Sequence, residues 1–379
     1  MRLTLDEEQA LLLKTAQRFA REKAPVGRLR AFRDRQDPVG FDPALWGAMV
    51  DLGFVGLAIP EAMGGLGLGI FEQCLVLEAI GARLMPEPLL GSAMLAVQTL
   101  LFAGESETSR RWLEATASGA AIVSVAWLEP GQRFERSLVR TSAVEVEGGY
   151  VLTGRKLHAL AGGAAGALIV SARTRGEAAE ADGISLFVVE AGARGLEVEP
   201  QWRVDGQPAA AIRLDGVAVG PEALIGGLHA GGAALEAAIE RATVGLCAEM
   251  LGGAVEAFEV TLAYLKERRQ FDVPIGSFQA LQHRAARLFV ELSLTRSAVL
   301  AAARAADEGV GLERAASLAK ARCAEVFVKV TNEAVQMHGG VGVTDEYDVG
   351  LYLKRARAAA VTFGDAAWHR DRWARLGGF

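Results

Sequence analysis

The spacing of hydrophobic residues changes twice along the chain, and no other feature limits the fold as strongly. Up to about residue 119, apolar residues recur three and four positions apart, for example from Leu12 to Ala16 and Phe19, which predicts helices. Between residues 120 and 225, short runs rich in Val, Ile and Leu alternate with Gly-containing turns, which predicts strands. After residue 226 the helical spacing returns in long, Ala-rich segments. The sequence therefore predicts an α+β chain that is mainly α.

These two changes also predict the domain organisation. We expect a helical N-terminal domain at residues 1–118, a small antiparallel β domain at 119–226 and a helical bundle at 227–379. The chain is long enough for each domain to bury a core, since 51% of its 379 residues are hydrophobic. The predicted helices cover residues 43–52, 71–84, 235–267, 278–308, 312–338 and 352–361.

Charge and cysteine content exclude several classes of protein. A net charge of −6 argues against a nucleic-acid-binding polycation. Cys74, Cys247 and Cys323 are far apart and form no CxxC pair, so neither a disulfide framework nor a zinc site is expected, and no other metal site is predicted. The N-terminus lacks the apolar stretch of a signal peptide, and the longest uncharged segment, residues 88–104, is too short to span a membrane. We expect a buried core helix there, no membrane insertion, and a cytoplasmic protein.

Two segments in the C-terminal part carry residues suited to binding a ligand. In the first, YLKERRQFDVPIGSFQALQ, Arg268 and Gln270 lie beside a predicted turn between two helices and could hold an anion or a nucleotide. In the second, VQMHGGVGVTDEY, a helix ends at Gly339 and Gly340, where backbone can approach a ligand closely. A solvated helical hairpin and a plain glycine cap are the simpler interpretations of the same residues.

Together with three earlier motifs, these segments resemble the acyl-CoA dehydrogenase family over the whole chain. WGAMVDLGFVGLAIPEAMGGLGLG is similar to the family's tryptophan–helix–IPE–glycine loop, AWLEPGQ to its strand ending in TEP, and GGYVLTGRKLHAL to its hairpin ending in WIT. RRQF, FQALQ and QMHGG resemble the family's R-x-Q-F, FQxxQ and QxxGG motifs, in the same order.

This resemblance implies a fold, a cofactor and a reaction. It implies a helical N-terminal domain, a middle antiparallel β-barrel-like domain and a C-terminal four-helix bundle, assembled as a dimer of dimers. FAD would be contacted by Arg268, Gln270, Phe271, Gln279 and the segment Gln336 to Gly340, which includes Gly339. The family dehydrogenates acyl-CoA thioesters between Cα and Cβ, as in the β-oxidation of fatty acids or the catabolism of steroids. Its electrons pass to electron-transfer flavoprotein.

The family's catalytic carboxylate is replaced in this chain. Counting from Arg355 places Gly364 where the family usually has its Glu, and Asp365 follows one residue later. Asp365 could act as the base after a shift of the loop, or it could cap the helix that begins near Ala366.

A second location for the base lies early in the first bundle helix, where the count reaches Ala242. Glu240 is two residues earlier, a rotation of about 200° on a helix, and would point away from the flavin unless the helix shifts. It could instead be a surface residue or part of an ion pair within its helix. The neighbouring Arg241 is a candidate substrate contact.

The residues expected at the flavin ring also differ from the family pattern. His158, Ala159 and Leu160 stand in place of WIT, Leu128 replaces the Thr of TEP, and GQRFE replaces G-x-G-S-D. Two interpretations follow from these differences. The chain could be a catalytic, FAD-dependent acyl-CoA dehydrogenase that uses Asp365 or Glu240 and assembles as a homotetramer. Alternatively, it could be the non-catalytic subunit of an α2β2 heterotetramer with a homologous subunit, acting on a steroid or another bulky acyl-CoA.

Overall fold

Helices form most of the chain in the computed structural model, which describes residues 4–379. The described α-helices are α1 (Glu7–Lys23), α2 (Arg28–Arg35), α3 (Pro43–Asp51), α4 (Ile70–Ala82), α5 (Val97–Ala103), α6 (Glu107–Ala117), α7 (Gly231–Glu267), α8 (Gln279–Glu308), α9 (Leu312–His338), α10 (Val349–Val361) and α11 (Ala366–Leu376). Capping explains several starts: Asp6 forms a capping box with Gln9 on α1, and Asp42 and Ser106 cap α3 and α6.

The strands form one large sheet and one short hairpin. They are β1 (Val123–Ala126), β2 (Ser142–Val146), β3 (Gly149–Leu160), β4 (Ala167–Arg173), β5 (Ile184–Glu190), β6 (Leu196–Trp202), β7 (Pro208–Val219), β8 (Leu224–Ile225), β9 (Arg269–Gln270) and β10 (Val273–Pro274). The sheet runs in the order β6-β7-β3-β2-β4-β5-β8, with β1 added beside β4, and β9 pairs with β10. The pairing is antiparallel except at β4, where β1 and one residue of β2 pair in parallel.

The expected sequence of helical, β and helical segments is confirmed, and so is the mainly α, α+β class. The predicted helices agree with the structure within two residues at most ends. The exceptions are α7, which begins at Gly231, four residues before its predicted start, and α10, which begins at Val349, three residues before it. Two expectations need correction. The sheet is not entirely antiparallel, since β1 and β4 pair in parallel. The β2–β3 hairpin lies between them in the chain and provides the long connection that two parallel strands need. The uncharged segment 88–104 is not one α-helix, since Leu89–Ala96 is π-helical and α5 follows it.

Two compact units make up the chain, and each combines parts that are distant in sequence. One contains the residues up to Ala31 together with Ile70–Met85 and Thr243–Phe379. In it, α4 and α7 approach so closely that a Cβ atom at Gly252 would lie 1.9 Å from the carbonyl oxygen of Glu78. Glycine is therefore required at that crossing. The buried ion pair of Arg355 with Glu249, 2.7 Å long, joins α10 to α7.

The other unit contains Phe32–Gly69 and Pro86–Ala242, and therefore the large sheet. One face of the sheet carries its hydrophobic core, which includes Leu152, Leu168, Phe187 and Ile212. These residues come from four different strands, and the alternation of side chains along each strand brings them to the same face.

Among residues 4–379, the helices are too short or too polar to span a lipid bilayer.

Candidate functional site

The RRQF motif forms an exposed hairpin that directly follows α7. Strands β9 and β10 are joined by Phe271 and Asp272, whose φ angles are +53° and +63°. Two positive φ angles in a two-residue turn match the twist of the hairpin, but this conformation is costly for a bulky residue such as phenylalanine. The Phe271 side chain is nevertheless 86% exposed. Phe271 is therefore a candidate for contact with another molecule.

The QMHGG motif forms the end of α9. Gly339 has a φ of +65° and its N–H donates a hydrogen bond to the carbonyl oxygen of Gln336, which ends the helix. In the described part of the chain, residues 4–379, no atom beyond the adjoining residues lies within 4 Å of the position that a Cβ atom would take at Gly339 or Gly340. The space beside this backbone is therefore open, and Gly339 also serves as the helix cap.

An aromatic cluster that the sequence reasoning missed links these two motifs. The Tyr264 ring stacks on the His338 ring with centroids 4.2 Å apart, and the Tyr264 carbonyl accepts a hydrogen bond from Arg268 N at 2.8 Å. Tyr347 completes the cluster, with its ring centroid 5.6 Å from that of His338. Burial lowers the pKa of His338, and its Nδ1 lies 2.7 Å from the Ala334 carbonyl. The cluster could have been inferred from the position of Tyr264, which lies one helical turn before Arg268 and therefore next to the RRQF motif.

The polar side chains predicted to bind the cofactor are available to a ligand. Within residues 4–379, the Arg268 guanidinium and the side-chain amides of Gln279 and Gln336 have no hydrogen-bond or ion-pair partner, and all three residues are exposed. The Gln270 side chain donates only to the neighbouring Arg269 carbonyl, at 2.9 Å. An unpaired guanidinium, open glycine backbone and an exposed phenylalanine suit the diphosphate, the ribose and the flat ring of a dinucleotide.

The turn between α10 and α11 has no room for a side chain at Gly364. The φ of Gly364 is +122°, and a Cβ atom there would lie 2.7 Å from His369 Nε2 and 2.8 Å from Trp368 Cε3. Asp365 is the N-cap of α11, because its carboxylate accepts a hydrogen bond from Trp368 N at 2.8 Å. Of the two roles considered for Asp365, the structure therefore shows the capping role.

Glu240 lies in a buried ion pair in the unit that contains the sheet. Its carboxylate contacts Arg136 Nη1, and the same guanidinium lies 2.6 Å from Glu236. The expectation of a surface residue or a pair within one helix is therefore wrong, because Arg136 comes from the loop after β1. Ala242, at the family's position for the base, is also fully buried.

Arg241, the candidate substrate contact, interacts with other parts of the same unit. Its guanidinium lies 4.2 Å from the centre of the Phe102 ring, a cation–π contact, and Nη1 donates to the Ala237 carbonyl at 3.2 Å. A substrate would therefore have to share or displace these contacts.

The residues that replace the flavin-ring motifs lie close together in the sheet unit. Leu157 N donates to the Leu128 carbonyl at 2.7 Å, which places the end of β1 beside the bulge in β3. His158, in that bulge, has a φ of +52° and donates its backbone N–H to Gln201 Oε1 at 2.8 Å. Burial and the nearby Arg203 charge lower the pKa of the His158 imidazole. The sequence could not reveal this conformation, which depends on a residue 43 positions away.

A buried ion pair holds the same two segments together. Lys156 Nζ lies 2.7 Å from Glu129 Oε1 and 3.0 Å from Ser171 Oγ, and Glu129 also accepts hydrogen bonds from the Arg140 and Thr141 backbones. Burial lowers the pKa of Lys156 to about 8, although Glu129 opposes this shift. Burial by itself would raise the pKa of Glu129, but the charge and hydrogen bond of Lys156, together with hydrogen bonds from Thr141, outweigh it and lower that pKa.

Comparison with known proteins identifies the family. Residues 6–120, 124–217 and 229–377 match the acyl-CoA dehydrogenase N-terminal, middle and C-terminal domains, respectively. The acyl-CoA dehydrogenase IpdE2 of Mycolicibacterium smegmatis is 30% identical over 368 residues, which cover 95% of this chain and 96% of that protein.

Similar solved structures include subunits of complexes and an FAD-bound protein. A Tcur3481–Tcur3483 steroid ACAD variant has a TM-score of 0.86 and 31% identity, covering 99% of each chain. The ChsE4–ChsE5 complex of Mycobacterium tuberculosis has a TM-score of 0.88 and 27% identity over 100% of this chain and 99% of that one. The FAD complex of PigA has a TM-score of 0.91 and 25% identity, with 100% of this chain and 99% of the other covered. The chain therefore belongs to the acyl-CoA dehydrogenase family of oxidoreductases, and FAD is its cofactor.

Proposed function

We propose that this chain takes part in the α,β-dehydrogenation of an acyl-CoA thioester as a cofactor-contacting subunit that obtains its general base from a homologous partner subunit. The lack of space for a side chain at Gly364 supports this proposal most strongly. The reaction needs a carboxylate next to the substrate Cα, and Trp368 and His369 fill the place of a side chain at the family's usual position. The only carboxylate in that turn, Asp365, caps α11.

The chain's own residues would act on the cofactor at its nucleotide end. Bound FAD supplies the acceptor for the hydride that leaves Cβ. Arg268 would pair with the diphosphate through charge-assisted hydrogen bonds, and Gln270, Gln279 and Gln336 would donate to its polar groups. The open backbone at Gly339 and Gly340 and the exposed Phe271 would complete this contact. These roles do not require a base in the same subunit.

Exposed apolar residues on α8 support assembly with further subunits. Phe289, Val290 and Leu294 are 62%, 56% and 54% exposed, although they lie on a central helix of the bundle. A cluster of large apolar side chains in water is costly and is typical of an interface. We propose that this face is covered in a tetramer with a homologous subunit. The similar Tcur3481–Tcur3483 and ChsE4–ChsE5 proteins are also two-component assemblies.

Substrate, electron acceptor and location follow from the same resemblance. We propose a steroid or another bulky acyl-CoA as the substrate, supported by the similarity to a steroid ACAD, and electron-transfer flavoprotein as the acceptor. The three cysteines are buried free thiols, which suits a reducing cytoplasm. We also propose that the chain is divided into three domains, at residues 1–118, 119–226 and 227–379.

A second candidate function is catalysis by this chain alone, as a homotetramer. It would require Asp365 to leave the helix cap, or Glu240 to separate from Arg136 and rotate. Asp365→Asn and Glu240→Gln test these routes: if the chain alone reduces flavin with an acyl-CoA, the variant that abolishes reduction identifies the base.

Flavin content tests the first proposal. The chain is purified alone and together with a co-expressed homologue, and bound FAD is quantified from its visible absorbance. We expect a colourless or weakly yellow protein in the first case and stable FAD in the second. A full complement of FAD in the chain alone would contradict the need for a partner.

A further inference from the structure

A lysine in the interior of the bundle contacts the turn that occupies the family's base position. Lys320, on α9, is fully buried, and its Nζ lies 2.7 Å from the Gly364 carbonyl oxygen and 3.1 Å from the Ala360 carbonyl oxygen. Within residues 4–379, no carboxylate oxygen lies within 4.0 Å of this amine. A buried lysine paired only with backbone carbonyls is unusual, since buried amines commonly have an acidic partner.

The two carbonyls explain why the turn needs this donor. Ala360 belongs to the last turn of α10, where carbonyl groups have no partner within the helix and carry the negative end of its dipole. The chain then reverses through Phe363 and Gly364, with φ angles of +61° and +122°, before Asp365 begins α11. His369 Nε2 lies 3.2 Å from the Phe363 carbonyl. Lys320 therefore connects the end of one helix to the strained residue before the next.

We propose that Lys320 is a positioning residue that clamps the turn between α10 and α11 and thereby keeps the base position at Gly364 closed. With the clamp in place, Trp368 and His369 remain packed over Gly364 and leave no room for a carboxylate. The significance for catalysis rests on the proposed function, whereas the clamp itself is tested without any catalytic assay.

The Lys320 amine can donate to both carbonyls whether it is protonated or neutral. Burial lowers the pKa of Lys320 from 10.5 to about 8, while Cys247 on α7, Cys323 on α9 and Asp365 at the start of α11 act in the opposite direction. Burial also raises the pKa of the neighbouring Cys323 thiol. A neutral amine still has two hydrogens, one for each carbonyl. Between pH 8 and 10.5 the unfolded chain therefore holds a proton on this lysine that the folded chain lacks, and stability from Lys320 rises with pH.

Lys320→Met is compared with Lys329→Met, which removes an exposed lysine from the same helix. Hydrogen exchange is measured for residues 362–369, and thermal unfolding is followed from pH 7 to 10.5. We expect Lys320→Met, but not Lys329→Met, to lose protection in this segment by about tenfold or more, since two buried hydrogen bonds are removed. The difference in Tm between wild type and Lys320→Met should widen above pH 8.

Unchanged protection of the turn in Lys320→Met, or a Tm difference that does not depend on pH, would overturn the proposal. If Lys320→Met does not fold, the wild-type chain provides the test. Nuclear magnetic resonance of its lysine side chains should show, in addition to Lys156, a buried amine that titrates near pH 8 and contacts the Gly364 segment. Titration of this amine near 10.5 would equally overturn it. Hydrogen exchange, the Tm difference and the lysine titration do not involve a second subunit, so they would keep their expected results even if the partner-subunit proposal failed.

Discussion

Replacement of Gly364 by alanine tests the claim that the base position is closed. The substitution adds a single Cβ atom, which would lie 2.7 Å from His369 Nε2 and 2.8 Å from Trp368 Cε3. Both distances are shorter than a van der Waals contact, so the side chains of the buried His369 and of Trp368 must shift. The φ of +122° is also unfavourable for any residue with a side chain.

These two effects define the expected magnitude. Overpacking of a tight site costs about 1–3 kcal/mol, and a sparsely populated backbone conformation costs about 1–3 kcal/mol. We therefore expect Gly364→Ala to lower the free energy of unfolding by about 2–6 kcal/mol in urea denaturation. Gly350→Ala in α10 is the matched control. Among residues 4–379, nothing apart from the adjoining residues and the local helix backbone lies within 4 Å of its Cβ position, so the substitution should gain about 0.4–1 kcal/mol.

Equal stability of Gly364→Ala and the wild type would refute the reasoning. Gly364→Glu extends the test to function, because it restores the carboxylate of the family at this position. We expect a destabilised protein that gains no activity until His369 is made smaller. A stable Gly364→Glu chain that reduces flavin by itself would show that the space is available.

Three further predictions concern other parts of the chain. Glu129→Gln should lower the free energy of unfolding in urea by about 3–5 kcal/mol, because it leaves Lys156 buried without its carboxylate. Adding Lys156→Met should recover part of this loss, whereas additive losses would show that the two residues are not coupled. Arg136→Met should likewise lower the free energy of unfolding by about 3–5 kcal/mol. This loss should be smaller when Glu240→Gln is also present; an unchanged loss would show that Arg136 stabilises the protein through another contact. Leu294→Glu should reduce the assembled mass in light scattering, whereas Val310→Glu, in the exposed α8–α9 turn, should not; equal effects would argue against an interface on α8.

The helices and the motif positions could be predicted from the sequence, but the contacts that decide function could not. Periodicity was sufficient for the bounds of α8 and α9 because these helices are long and regular. The pairing of Glu240 was not predictable, since Arg136 lies 104 residues away in a loop without regular structure. The closed space at Gly364 likewise depends on how Trp368 and His369 fold back over the turn. Asp365 shows the same limit, because its position fitted both a base and a helix cap until the hydrogen bond to Trp368 was known.

Anaerobic titration with an acyl-CoA in the presence of added FAD tests the central claim most directly. The visible flavin absorbance is recorded for the chain alone and for its complex with a homologous subunit. If the base comes from the partner, the absorbance of the chain alone should stay unchanged while that of the complex is bleached. Full bleaching of the chain alone by an acyl-CoA would contradict the proposal and show that this subunit contains its own base.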